Sequence, residues 1–134
     1  KKEKNINDKI NELVNQNIIT NKKVNELENE VADLDICIEE RLWGNGESGY
    51  RKYRKGCLIQ WGTTTSNAGG EQEFQMHTAN TNQTFMIQVT PKEKGNFFYY
   101  GYPTANNKFA CRIQDKDGTS RAIKFSWMSI GRYK

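Results

Sequence analysis

His77 is the only histidine among 134 residues, so any Ser-His-acid or Cys-His arrangement must run through it. Nothing beside it in sequence supplies the other partners, and next to Met76 it reads as a structural or surface histidine. Glu71 and Glu73 stand two apart and share a side of an extended strand, the arrangement a glycan-cleaving carboxylate pair needs. With only six acidic residues from position 43 onward, they read as solvated charges. Asp115-Lys116-Asp117-Gly118 begins like a calcium loop but lacks the later ligands and the bidentate Glu, and reads as a turn. Gly69-Gly70 has no Lys or Ser/Thr in phosphate-loop register. Cys37, Cys57 and Cys111 are odd in number, widely spaced and without a CxxC, which argues against a disulfide framework or a zinc site. The expectation is a protein that is not an enzyme and uses no metal or cofactor. A glycan-cleaving enzyme with carboxylates at subunit boundaries is the catalytic alternative.

The chemistry that remains is recognition. Tyr99, Tyr100 and Tyr102 offer flat faces with a polar edge, suited to stacking on a sugar ring or anchoring an interface. Alternation puts Tyr100 and Tyr102 on one face of a strand and Tyr99 on the other. Loops rich in Asn, Thr, Ser and Gly at 63–70, 78–84 and 104–107 carry many donors and acceptors. Asn80, Asn82, Asn106 and Asn107 join the tyrosines as receptor-binding candidates. Arg51, Lys52, Arg54 and Lys55 form the longest basic run of the head, but no recognition helix, zinc finger or aromatic-basic strand motif accompanies it, so a nucleic-acid partner is the weaker reading.

Two unlike segments must position these residues. Residues 1–42 contain no aromatic residue and carry 7 Lys/Arg against 10 Asp/Glu; residues 43–134 hold all 15 aromatics, with 13 basic against 6 acidic residues. The net charge of +4 is therefore the difference between an acidic stem and a basic head. In the stem, Ile10, Asn17, Val24, Val31 and Ile38 fall at a, and Ile6, Leu13, Thr20, Leu27 and Leu34 at d, of a heptad seam. The spacing predicts a helix from Ile6 to Leu42, ended by Gly44, Gly46 and Gly49. One helix cannot bury this stripe alone, so copies of itself are the expected partner. Asn17 and Thr20 make a polar layer that can fix register, and the heptads leave two against three strands open. No apolar run reaches the length of a membrane span. The division expected is a coiled-coil oligomerisation stem at 1–43 and an antiparallel β head at 49–134, joined by the turn-rich 43–49. The chain begins Lys1-Lys2-Glu3-Lys4 without a Met, a start compatible with a fragment of a longer protein.

The head reads as short strands between polar turns. Two strands flank a turn at Lys55-Gly56. Phe74–His77, Thr84–Thr90, Phe97–Tyr102 and Phe109–Ile113 follow, with a hairpin turn expected at Asp115–Gly118. The closing segment, 122–131, alternates so that Ile123, Phe125, Trp127 and Ser129 share one face.

Two of these segments carry a resemblance. Gly49-Tyr50-Arg51-Lys52-Tyr53-Arg54-Lys55-Gly56-Cys57-Leu58-Ile59-Gln60-Trp61-Gly62 resembles the motif that opens the C-terminal head of many bacteriophage and prophage tail fibres. In that family a glycine, a lysine, a turn with glycine, a hydrophobic pair and Gln-Trp-Gly follow in order. Phe125-Ser126-Trp127-Met128-Ser129-Ile130-Gly131 is similar to the family's closing strand. Tyr53-Arg54 stand where the family has Leu-Pro, and residues 63–84 depart from its Phe-Pro-rich segment. The resemblance implies a mainly β protein: a parallel trimeric coiled-coil stem followed by a compact antiparallel β-sandwich-like head. It implies a place at the distal tail fibre of a virion, outside the cell, binding bacterial surface polysaccharide or a surface protein. The remaining tail-fibre or baseplate protein would lie N-terminal to this fragment, without membrane insertion. Gln60, Trp61, Gly62, Trp127, Ile130 and Gly131 would be framework positions. A structural virion or baseplate trimerisation or capping module is the non-receptor alternative.

Overall fold

The computed structural model describes residues 2–134 and divides the chain into two compact units, 1–34 and 35–134. The first is a single helix, α1 (Lys2–Asp33), in which no described side chain is buried. Ile6, Ile10, Leu13, Val24, Leu27 and Val31, the apolar seam, are all exposed. No helix among the described residues is long and apolar enough to cross a membrane.

The second unit contains eight strands: β1 (Cys37–Trp43), β2 (Ser48–Tyr53), β3 (Cys57–Thr65), β4 (Gln72–Gln75), β5 (Met86–Pro91), β6 (Phe97–Ala105), β7 (Lys108–Asp115) and β8 (Lys124–Arg132). They form two antiparallel sheets, ordered β1-β2-β3-β8-β5 and β4-β7-β6. Their apolar faces meet over Val89, Phe109, Cys111, Ile113, Phe125 and Trp127, with Met76, Phe85 and Ile123 closing the core. Phe109 stands 5.2 Å from Trp127, and Phe74 lies within 5.5 Å of both Phe109 and Phe125 (ring centroids). The Phe74–Phe125 and Phe109–Trp127 contacts join the two sheets.

The helix stops earlier than its heptads predict. Leu34 lies just beyond α1, and Ile38 belongs to β1, not to the seam. Within 37–43 only Ile38 falls on the seam, since Arg41 takes the next d position, and antiparallel pairing with β2 makes the segment a strand. In antiparallel register Glu39 faces Lys52 and Glu40 faces Arg51, and both pairs form salt bridges. Residues 43–49 are correspondingly not a linker: Trp43 pairs with Ser48 and Leu42 with Gly49, and residues 44–47 are the hairpin loop between β1 and β2. Gly44, Asn45 and Gly46 all adopt positive φ there, a conformation that a Cβ makes costly.

The Asp115–Gly118 turn is formed, with Asp115 Oδ1 accepting from the backbone N–H of Asp117 and of Thr119. It closes a short hairpin, with Gln114 bridged antiparallel to Ser120, but not one between β7 and β8, which belong to different sheets. β8 instead runs beside β3 with Gly62 opposite Trp127, Gln60 opposite Ser129 and Leu58 opposite Gly131. The two segments that carry the family resemblance, more than sixty residues apart in sequence, are thus neighbouring strands.

Candidate functional site

The framework residues explain themselves by contact. Gln60 is fully buried. Its Oε1 accepts from the backbone N–H of His77 and of Thr78, each at 3.1 Å, and its Nε2 donates to the Thr78 carbonyl at 3.0 Å. Those bonds hold residues 76–80 across the seam between the sheets. On the far side, Met76 N and Asn80 N donate to the carbonyls of Asn107 and Asn106, both at 2.8 Å. Trp61 Nε1 donates to the Gly46 carbonyl at 2.9 Å and ties down the β1–β2 loop. Gly62 is required because a Cβ there would lie 2.7 Å from Trp127 Nε1; at Gly131 a Cβ would run into Asn80. Ile130 points outward and is exposed, unlike the other framework residues of β8.

His77 sits between Trp43 and Trp127, with ring centroids 4.8 and 5.4 Å away. Its Nε2 lies 2.8 Å from the Trp61 carbonyl and 3.0 Å from Ser48 Oγ. A carbonyl only accepts, so Nε2 carries the proton and donates it to Trp61. The lone pair that would deprotonate Ser48 is therefore absent from that nitrogen, and the geometry is that of a structural clasp.

The binding candidates separate into distinct places. Tyr100 and Tyr102 share the outward face of β6, rings stacked at 6.2 Å between centroids, and Tyr99 projects from the opposite face. Both hydroxyls donate to one carboxylate, Tyr100 to Glu71 Oε1 at 3.0 Å and Tyr102 to Glu71 Oε2 at 2.8 Å. Thr104 Oγ1 donates to Glu73 at 2.7 Å one step further along. The hydrogen bond to Glu71 favours the neutral phenol and raises the pKa of both tyrosines. Arg112, opposite Tyr100 on β7, is held by Ser120 Oγ and the Gly118 carbonyl. The result is an exposed, pre-ordered aromatic ladder flanked by a carboxylate and a guanidinium, a surface able to stack on a sugar ring and bond its hydroxyls.

The asparagines do not join it. Asn80, expected on the surface, is buried: its Nδ2 donates to the Asn106 carbonyl at 3.1 Å, making it a bolt between loops. Asn82 is exposed and its Oδ1 accepts from Thr84 N at 2.9 Å, shaping its own loop. Asn106 and Asn107 lie in the β6–β7 turn, where their carbonyls do the holding described above. Glu71 and Arg112 were the residues that sequence reasoning left out of the site. The distances of 29 and 31 residues from Glu71 to its tyrosines hide that link. Cys111 is buried, which pushes its thiol up to about 12 with a smaller contribution from the Glu71 charge.

No curated protein matches the sequence. Solved structures share the fold. An N-truncated R1-type pyocin tail fiber is 13% identical, with a TM-score of 0.53 over 79% of this chain and 93% of that one. An N-truncated R2-type pyocin tail fiber is 16% identical, with a TM-score of 0.52 over 72% of this chain and 39% of that one. The C-terminal part of an R1 pyocin fiber of P. aeruginosa is 13% identical, with a TM-score of 0.50 over 71% of this chain and 28% of that one. The chain thus spans well under half the length of two of these fibres. Residues 52–132, more than half of the chain, match the family described as "Putative tail fiber protein gp53-like, C-terminal", and the chain belongs to that family of tail-fibre C-terminal domains.

Proposed function

We propose that this domain is the receptor-binding tip of a fibre, a parallel homotrimer that grips bacterial surface glycan through the Tyr100–Tyr102 face. As a tail-fibre domain the chain belongs to the exterior of the assembled particle. The observation that carries the binding reading is the tyrosine ladder held by Glu71, because two exposed aromatic rings are fixed in place before any ligand arrives. Pre-ordering lowers the entropy that binding must overcome. A role in binding and not in cleavage is supported by the engagement of Glu71 and Glu73 by hydroxyl donors and of His77 Nε2 by a carbonyl.

Two apolar surfaces that the chain leaves largely open to solvent support self-association. One is the helix stripe Ile6, Ile10, Leu13, Val24, Leu27 and Val31. The other is the outer face of the five-stranded sheet, where register sets Met86, Ile130 and Ile59 in one row and Met128 beside Trp61 in the next. Three copies of a weak site then act together on a multivalent surface. The rest of the fibre, N-terminal to this segment, is the further protein partner.

The test has two readings. Light scattering on the chain should give three copies, and a single chain in dilute solution overturns the stem. Binding to intact bacteria of candidate hosts should be competed by purified surface polysaccharide and lost in Tyr100→Ala/Tyr102→Ala. Unchanged binding by that variant moves recognition elsewhere on the head.

A further inference from the structure

Away from the tyrosine face, and unlike it in charge, the head carries a basic concavity. The β5–β6 loop and the residues after β7 enclose a cleft of about 350 Å³ lined by Lys94, Gly95, Asn96, Phe97, Asp115, Lys116 and Arg121. Three cations surround it against one carboxylate. Asp115 Oδ1 accepts two backbone N–H bonds, and its Oδ2 forms a long salt bridge with Arg121 at 3.8 Å, so the cleft keeps a net positive charge from Lys94 and Lys116. The walls are fixed by backbone bonds. Arg121 N donates to the Ile113 carbonyl at 2.9 Å, Asp115 N to Thr119 at 3.0 Å, and Lys92 N to Lys124 at 2.8 Å. Phe97 packs against the core beneath and leaves part of its ring in the cleft. Gly95 lies over that ring, where a Cβ would come within 2.6 Å of it.

We propose that this cleft takes an anionic sugar, one bearing a carboxylate or a phosphate. The reasoning rests on the receptor-binding reading above and assigns part of the ligand's chemistry. Guanidinium and ammonium groups match carboxylate and phosphate oxygens, and Arg121 offers the planar fork that binds them in pairs. An aromatic floor gives the pyranose ring an apolar contact that a free anion cannot use. The tyrosine face has the opposite character, since Glu71 and Glu73 repel an anion there. Phe97 and Tyr100 are three residues apart on β6, ~10 Å along a strand. An odd separation turns the two side chains to opposite faces of β6, so the cleft is a site separate from the ladder.

The experiment titrates the whole chain, followed by amide and side-chain NMR, with four probes: an alginate oligosaccharide (carboxylate), a mannose-6-phosphate oligosaccharide, a neutral dextran oligosaccharide and inorganic phosphate. The expected result is that one or both acidic sugars shift Gly95, Asn96 and Lys116, and that raised salt weakens this binding. Lys94→Gln/Arg121→Gln, exposed positions that leave the core intact, should lower that affinity at least tenfold. Shifts confined to the neutral probe, or absent for every probe, overturn the proposal. Equal response to inorganic phosphate reduces the cleft to a simple anion site and overturns its sugar specificity. Cell binding is measured in parallel: cells held equally by wild type and by the double variant sink the cleft while sparing the receptor reading. A wild type that binds no cells yet takes acidic sugars in the cleft has the reverse meaning.

Discussion

Replacing Gln60 by leucine keeps the volume and removes three hydrogen bonds at once. The N–H groups of His77 and Thr78 lose their acceptor, and the Thr78 carbonyl loses its donor. A stranded buried polar group costs about 1–3 kcal/mol. His77 and Thr78 are only half-buried, so water recovers part of the loss and the lower end applies, about 3 kcal/mol for the three. Burying the leucine returns on the order of 1 kcal/mol. A net loss of about 2 kcal/mol follows, a large share of a stability of about 5–15 kcal/mol. Urea unfolding followed by tryptophan fluorescence measures it, at one fixed chain concentration because association contributes to stability. Hydrogen exchange supplies the local reading: the amides of His77 and Thr78 should lose protection first. Gln60→Glu, which keeps both acceptor bonds, should preserve that protection better than leucine does. A leucine variant within about 0.5 kcal/mol of wild type, with both amides still protected, refutes the claim that Gln60 bolts residues 76–80 to β3.

Two further outcomes follow from the same geometry. Glu71 raises the pKa of Tyr100 and Tyr102, so their neutral forms are favoured in the folded chain. That contribution is complete below the unfolded tyrosine value near ~10 and is lost as pH climbs through the higher folded value. Ultraviolet titration should show two late tyrosines that return to ordinary behaviour in Glu71→Ala; an unaltered curve contradicts the shared carboxylate. Gly62→Ala drives a methyl group into the Trp127 indole. Overpacking of this kind costs about 1–3 kcal/mol, read as a lowered urea midpoint and a changed tryptophan emission, and a neutral result refutes the close approach.

What local periodicity encodes was legible in the residues themselves. The heptads of Ile6 to Val31 give a helix with an apolar stripe, and the alternation through Ile123, Phe125, Trp127 and Ser129 gives the buried face of β8. The separation of Tyr100 and Tyr102 from Tyr99 follows from the same two-residue period. The heptads ran on past Leu34 to Ile38, and the antiparallel pairing with β2, flanked by the Glu39–Lys52 and Glu40–Arg51 salt bridges, makes residues 37–43 a strand. Turn chemistry foretold the bend at Asp115–Gly118 but not the sheet that the next strand would join, because strand partners are chosen by packing across the whole head. Asn80 became a buried bolt because Asn106 meets it from 26 residues away, and Glu71 became part of a site because β4 and β6 flank β7. A side chain's type and near neighbours fix what it is able to do. Only the closed fold, by bringing remote polar groups within hydrogen-bonding distance, decides which of them face solvent together.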